Sequence, residues 1–189
     1  MMIGMMLPSA MPMIVLQFRI ARKSRIQGRS VAPTVVFTAG YLLVRSAFSL
    51  VVTIAQGALV DLALVTRAMT SGSAMMASGV LVVAGLYQWT PQKRACLEHC
   101  RTPKTFLTRY WRPGTRGALL LGLRHGAYCV GCCWALMGVL FAVGVMNLAW
   151  VATIAIFVLV EKTAPFGPWT GRIAGAALAA FGLVTLTSE

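Results

Sequence analysis

Three cysteines and a histidine crowd one run of this chain, HGAYCVGCC, as His125, Cys129, Cys132 and Cys133. On a helix advancing 100° per residue they fall within an arc of about 100°. One face then presents an imidazole and three thiols over little more than two turns. A second group lies upstream in CLEHCRTP, where Cys96 and Cys100 flank His99. Thiolate and thioether donors select Cu(I), with Zn(II) next, whereas hard ions want oxygen. Oxygen donors are scarce here, since the acidic residues are only Asp61, Glu98, Glu161 and Glu189. Methionine is plentiful, with six between Met1 and Met13, then Met69, Met75, Met76, Met137 and Met146. A single Met or Cys is ordinary apolar filler. Three thiols with a histidine four residues before the first point instead to metal or redox chemistry.

The elements that position these groups follow from hydropathy. Hydrophobic residues make up 58% of the 189 and charged residues 11%, too little charge to cover a water-soluble domain of this length. In a bilayer only a helix bundle or a closed barrel satisfies its backbone, and the long continuous apolar runs exclude a barrel. The expected fold is therefore all-α: a polytopic transmembrane bundle, a single integral membrane domain over 1–189 with about six spans. Those spans are expected at 1–18, 34–56, 72–89, 118–143, 145–160 and 173–186, with a polar loop over 90–117. Met1–Phe18 lacks a basic start and a small-residue cleavage site, so it reads as a span and not as a cleaved leader.

The basic residues set an orientation. Stretches 19–33, 90–117 and 161–172 hold five, seven and two Lys or Arg, whereas the opposite connections hold only Arg67. The positive-inside rule places the basic loops in the cytoplasm, loop 90–117 included, and both termini outside. The net charge of +13 is accounted for by these topology signals and by lipid headgroups, and no nucleic-acid partner is expected. In this orientation the Met1–Met6 and Met75–Met76 groups lie toward the outer face and the cysteines toward the inner one. Thioethers do not form disulfides and suit an oxidising exterior, while thiols stay reduced in the cytosol. That gradient fits a Cu(I) path from methionine to cysteine ligands, running in either direction.

Other polar residues have simpler expectations. Arg45, mid-span in the second helix, should face the bundle and meet a carbonyl or an acid. Glu161 should pair locally with Lys162. Gly171, Gly175, Ala179 and Gly182 repeat at helical spacing and suit close helix packing.

The runs GMMLPSAMP, YQWTPQKRACLEHCRTP, GAYCVGCCWALM, GVMNLAW and EKTAP resemble the predicted metal-binding integral membrane proteins of bacteria, a family also described as copper-chaperone-like. The resemblance covers Met1 to about Pro165. It implies a membrane metal handler of the bacterial inner membrane, most suited to copper. By motif match it implies Cys96, Cys100, Cys129, Cys132 and Cys133 as ligands, with Met5, Met6 and Met146 beside them. Such proteins usually carry more sequence ahead of the Met-rich motif, which here begins at residue one, so the first helix is expected to be a shortened span.

Three functions compete on this reading. The leading one is a Cu(I)-binding delivery protein, not an enzyme, attached to other membrane subunits or to a copper-dependent membrane enzyme, with zinc as the alternative metal. Cys129, Cys132 and Cys133 with His125 would form its core, and Cys96 and Cys100 a pair for transfer. The second is a thiol–disulfide oxidoreductase, disfavoured because both cysteine groups fall on the cytoplasmic side. The third is a structural subunit with inert cysteines. No phosphate-binding loop, serine–histidine constellation or paired carboxylates suggest a hydrolase or an ATPase.

Overall fold

The computed structural model describes residues 2–26, 33–61, 74–112, 114–143, 148–164 and 166–187. Among them are eight helices and no strand: α1 (Met2–Ile26), α2 (Thr34–Asp61), α3 (Ala74–Tyr87), α4 (Pro91–Arg101), α5 (Pro103–Tyr110), α6 (Gly114–Val143), α7 (Leu148–Thr163) and α8 (Gly167–Thr187). The all-helical expectation is met. The number of spans is not. Among the described residues three helices are long and apolar enough to cross a membrane, over Thr34–Ala58, Gly114–Leu140 and Trp169–Thr187. The apolar part of α3, Met75–Tyr87, is shorter than a bilayer crossing needs. In α1, Pro8 and Pro12 interrupt the apolar half, and the helix runs on into Arg19, Arg22, Lys23 and Arg25. At 16 residues α7 is also short, and it ends on Glu161 and Lys162.

The stretch expected as a loop, 90–117, is largely helical. Two Thr-Pro pairs explain it. Thr90 caps α4, its Oγ1 accepting from the Lys93 amide at 3.3 Å, and Pro91 occupies the first helical position, where a missing N–H costs nothing. Thr102 and Pro103 repeat the arrangement at α5, without the side-chain cap. Gly114 then turns the chain into α6 with φ +86°, a conformation glycine adopts freely.

The chain divides into two compact units. Unit 1 comprises Met1–Ser49 and Cys96–Gly131; unit 2 comprises Leu50–Ala95 and Cys132–Glu189. Within unit 1, α1 packs on α5, and Met13, Phe37, Phe106, Leu107, Ala118 and Leu121 form a buried core. Helix α2 is pressed onto α6 at glycines. A Cβ on Gly122 would strike the Phe37 carbonyl, one on Gly40 would lie 2.7 Å from the Leu119 carbonyl, and one on Gly126 would lie 2.9 Å from Val44 Cβ.

Within unit 2, α3 packs along α8, and α7 also contacts α8. Small residues make the first contact possible, since a Cβ on Gly85 would lie 2.9 Å from that of Ala179, and one on Gly175 would lie 2.6 Å from Gln88 Cβ. Gly182 approaches the Ser78 carbonyl in the same way. The small-residue spacing of 171–182 thus does what its periodicity suggests. Glu161 also forms a buried ion pair with Lys93 of α4, at 2.5 Å, a long-range partner that the local pairing expected with Lys162 did not include. Gln88 Oε1 accepts a second hydrogen bond from Lys93, and Gly171 leaves room for the carboxylate.

Large apolar side chains remain exposed on the candidate spans, including Val35, Leu43, Leu50, Val51 and Ile54 of α2 and Ile173, Phe181, Leu183 and Val184 of α8. Faces of this kind suit lipid rather than water.

Candidate metal centre

Cys129 lies on α6 where the glycine contacts hold α2 closest. It is 1% exposed, and its Sγ is 3.6 Å from the Tyr41 hydroxyl. That hydroxyl is also 3.4 Å from the Met6 carbonyl, to which it can donate, and accepts from Arg45 Nε at 3.4 Å. Met6, Tyr41, Arg45 and Cys129 are all buried. Arg45 therefore faces inward as expected for a mid-span arginine, but toward a phenol that the sequence did not single out. Cys100 of α4 packs against the cluster formed by Ala10, Tyr41 and Cys129.

His125, one turn before Cys129 on α6, is 4% exposed and boxed by aromatic rings. Its centroid is 5.6 Å from Phe106, 5.9 Å from Tyr41 and 6.0 Å from Phe37. Phe106 comes from α5, so the second Thr-Pro helix forms one wall. On the outer side His99 stacks on Tyr128 with centroids 4.4 Å apart and planes 10° from parallel. A recess of about 230 Å³ adjoins it, lined by Glu98, His99, Thr102, Thr105, Arg109 and Tyr110 among others.

Cys96, one turn before Cys100, rests on Gly131, where an added Cβ would come within 2.9 Å of its Sγ. It is partly exposed, and burial pushes its thiol pKa up. All five cysteines are thiols. Cys132 and Cys133 are 2% and 1% exposed and belong to unit 2.

The residues expected from sequence are thus sorted. Met6, Cys100, His125 and Cys129 belong to unit 1 with Cys96, and of these Cys100 packs against the cluster that contains Cys129. Met5 lies on α1 with its side chain outside the described set, and Met146 lies outside the described residues. Among the described residues, no three of His, Cys, Asp and Glu stand close enough together to hold a metal ion. Tyr41 is the residue that sequence reading missed, and the Gly122/Gly126 pair four apart in LGLRHG was the available signal.

Neither a curated protein nor a solved structure matches the chain. A family model does match, over residues 1–185, that of the PpoB2 family, whose description is "Copper chaperone". With its buried sulfur and imidazole donors already in place, the chain belongs to this copper chaperone family.

Proposed function

We propose that this protein is a membrane-embedded Cu(I) carrier, not an enzyme, that hands copper to another protein. Copper is its cargo. The reading is supported above all by Cys129, a buried thiol at the Tyr41 hydroxyl with Cys100 packed against the same cluster. Cys96 and Cys100, on the partly exposed α4, exchange the ion. Cys129 holds it, with His125 and the Met6 thioether as further soft donors. Cys132 and Cys133 supply more thiols along α6, and Met5 and Met146 supply thioethers toward the other face. Zinc is the alternative ion for the same donors.

The carrier sits in a bacterial inner membrane. Its three long apolar helices cross the bilayer, and α1, α3 and α7 complete a six-segment arrangement with local thinning of the bilayer at the short ones. The basic stretches face the cytoplasm and both termini face outward. The recipient is a copper-dependent membrane enzyme or another subunit of its assembly.

Titrating a Cu(I) chelator into the copper-loaded, detergent-purified chain tests this. Cys129→Ser keeps the size of the side chain and removes the soft donor. Copper retention is expected to fall at least tenfold, about 1.4 kcal/mol, with thermal unfolding unchanged. The Cys96→Ser/Cys100→Ser chain should lose transfer rate to the chelator more than retention. A wild-type chain that binds no Cu(I) overturns the carrier reading; full retention in Cys129→Ser overturns the assignment of its site.

A further inference from the structure

We infer that Arg45 makes the buried site selective for a monovalent over a divalent metal ion. The inference rests on the carrier reading for the position of the metal. Arg45 is 3% exposed and lies one turn after Tyr41 on α2. Its Nε donates to the Tyr41 hydroxyl at 3.4 Å, and that hydroxyl is 3.6 Å from Cys129 Sγ. The guanidinium carbon lies 6.0 Å from the Tyr41 ring centroid. One hydroxyl group therefore separates a permanent positive charge from the thiol proposed to hold copper, and an arginine does not discharge by losing its proton. The α2–α6 contacts at Gly40, Gly122 and Gly126 hold the two helices too close for either partner to move away easily.

The selectivity follows from charge. Uncompensated charge is costly in a buried, weakly polarisable site. Cu(I) on two thiolates carries a net charge of −1, and Arg45 brings the total to zero. Zn(II) on the same thiolates is neutral and lacks the attraction that the Arg45 cation gives the anionic Cu(I) complex. With Cys129 as the only thiolate, each total rises by one, and the divalent ion again stands one positive charge worse off beside the same cation. Whatever the thiolate count, Arg45 penalises the extra charge of a divalent ion through a short, poorly screened distance. Tyr41 is the positioning residue: its hydroxyl accepts from the guanidinium and lies 3.6 Å from the sulfur.

Affinities of the full-length detergent-purified chain for Cu(I) and for Zn(II), each set by competition with a chelator, test the inference. In Arg45→Gln the ratio of Cu(I) to Zn(II) affinity is expected to fall tenfold or more. Arg45→Met should give the same result where the glutamine variant does not fold. Arg45→Lys, which keeps the charge, should hold the ratio within about threefold of wild type. A purely structural role for Arg45 would weaken both metals together and leave the ratio alone. An unchanged ratio in the neutral variants overturns the inference while leaving the carrier reading standing, and so does a wild-type chain that binds Zn(II) as tightly as Cu(I). A wild-type chain that binds no Cu(I) overturns the carrier reading itself.

Discussion

In unit 1 the buried groups include Gln17, Arg45 and His125 together with Met6, Tyr41 and Cys129, so that thiol, phenol and imidazole lie within one core. In unit 2 they include Gln88, Lys93 and Glu161, with an ion pair between the last two. Both units bring helices together through glycine, Gly40, Gly122 and Gly126 in the first and Gly85, Gly175 and Gly182 in the second. The same packing device therefore serves two purposes. Around Lys93 and Glu161 opposite charges neutralise each other at 2.5 Å, which suits a group that only has to hold helices in place. Around Cys129 the Tyr41 hydroxyl lies between the thiol, the Met6 carbonyl and the Arg45 guanidinium, and a thiol is a weak hydrogen-bonding partner but a strong one for a soft ion. On the proposed reading, the ion pair of unit 2 serves as scaffold and the soft donors of unit 1 as the place for cargo.

The largest effect should come from opening the ion pair of unit 2. Lys93→Met leaves the Glu161 carboxylate buried beside Gln88, and the folded state should lose about 3–5 kcal/mol. The yield of monodisperse protein and its thermal unfolding midpoint would measure that. The double variant Lys93→Met/Glu161→Leu should recover most of the loss, because no charge is then stranded. Copper bound per folded molecule should stay at the wild-type value in the double variant; a drop there would show that unit 2 is more than scaffold.

A smaller effect separates the two glycine contacts. Gly175→Val and Gly122→Val each force a helix pair apart and should cost about 1–3 kcal/mol. Their consequences should differ in kind. The first changes stability alone, whereas the second also displaces Phe37 and Tyr41 from α6 and lowers Cu(I) retention. Stability curves and copper titrations on the same preparations would compare them, and equal copper retention in both variants would dissolve the distinction drawn between the units.

The smallest effect concerns Cys96. Burial raises its thiol pKa, so at pH 7.5 less of it is thiolate than in an exposed cysteine. In a chain whose other four cysteines are serine, its alkylation rate should keep rising with pH beyond the midpoint of a free-cysteine standard. A midpoint at or below the standard would contradict the packing of Cys96 on Gly131.

Composition and periodicity were enough to expect the helices found among the described residues, because long apolar runs with few charges favour helices that satisfy their own backbone, while the family resemblance came from the motif strings. They also marked Cys129, His125 and Cys100, since the donor preferences of soft metals are a property of residue type. The spacing of Gly171, Gly175 and Gly182 was legible for the same kind of reason, a helical period being written into the order of residues. The helices of 90–117 were hidden by their charge, although the Thr-Pro pairs that start them are plain in the sequence.

What residue order does not contain is which distant groups meet. Lys93 and Glu161 stand 68 positions apart, and Tyr41 and Cys129 stand 88 apart. Those pairings depend on how closely two helix backbones approach, a distance of side-chain volumes at Gly122 and Gly126 that only the packed structure decides. The sequence by itself determined that this chain buries sulfur and imidazole in helices. The tertiary structure alone decided that Tyr41 and Arg45 stand beside Cys129, because a thiol's neighbours are set by interhelical contact and not by the order of the chain.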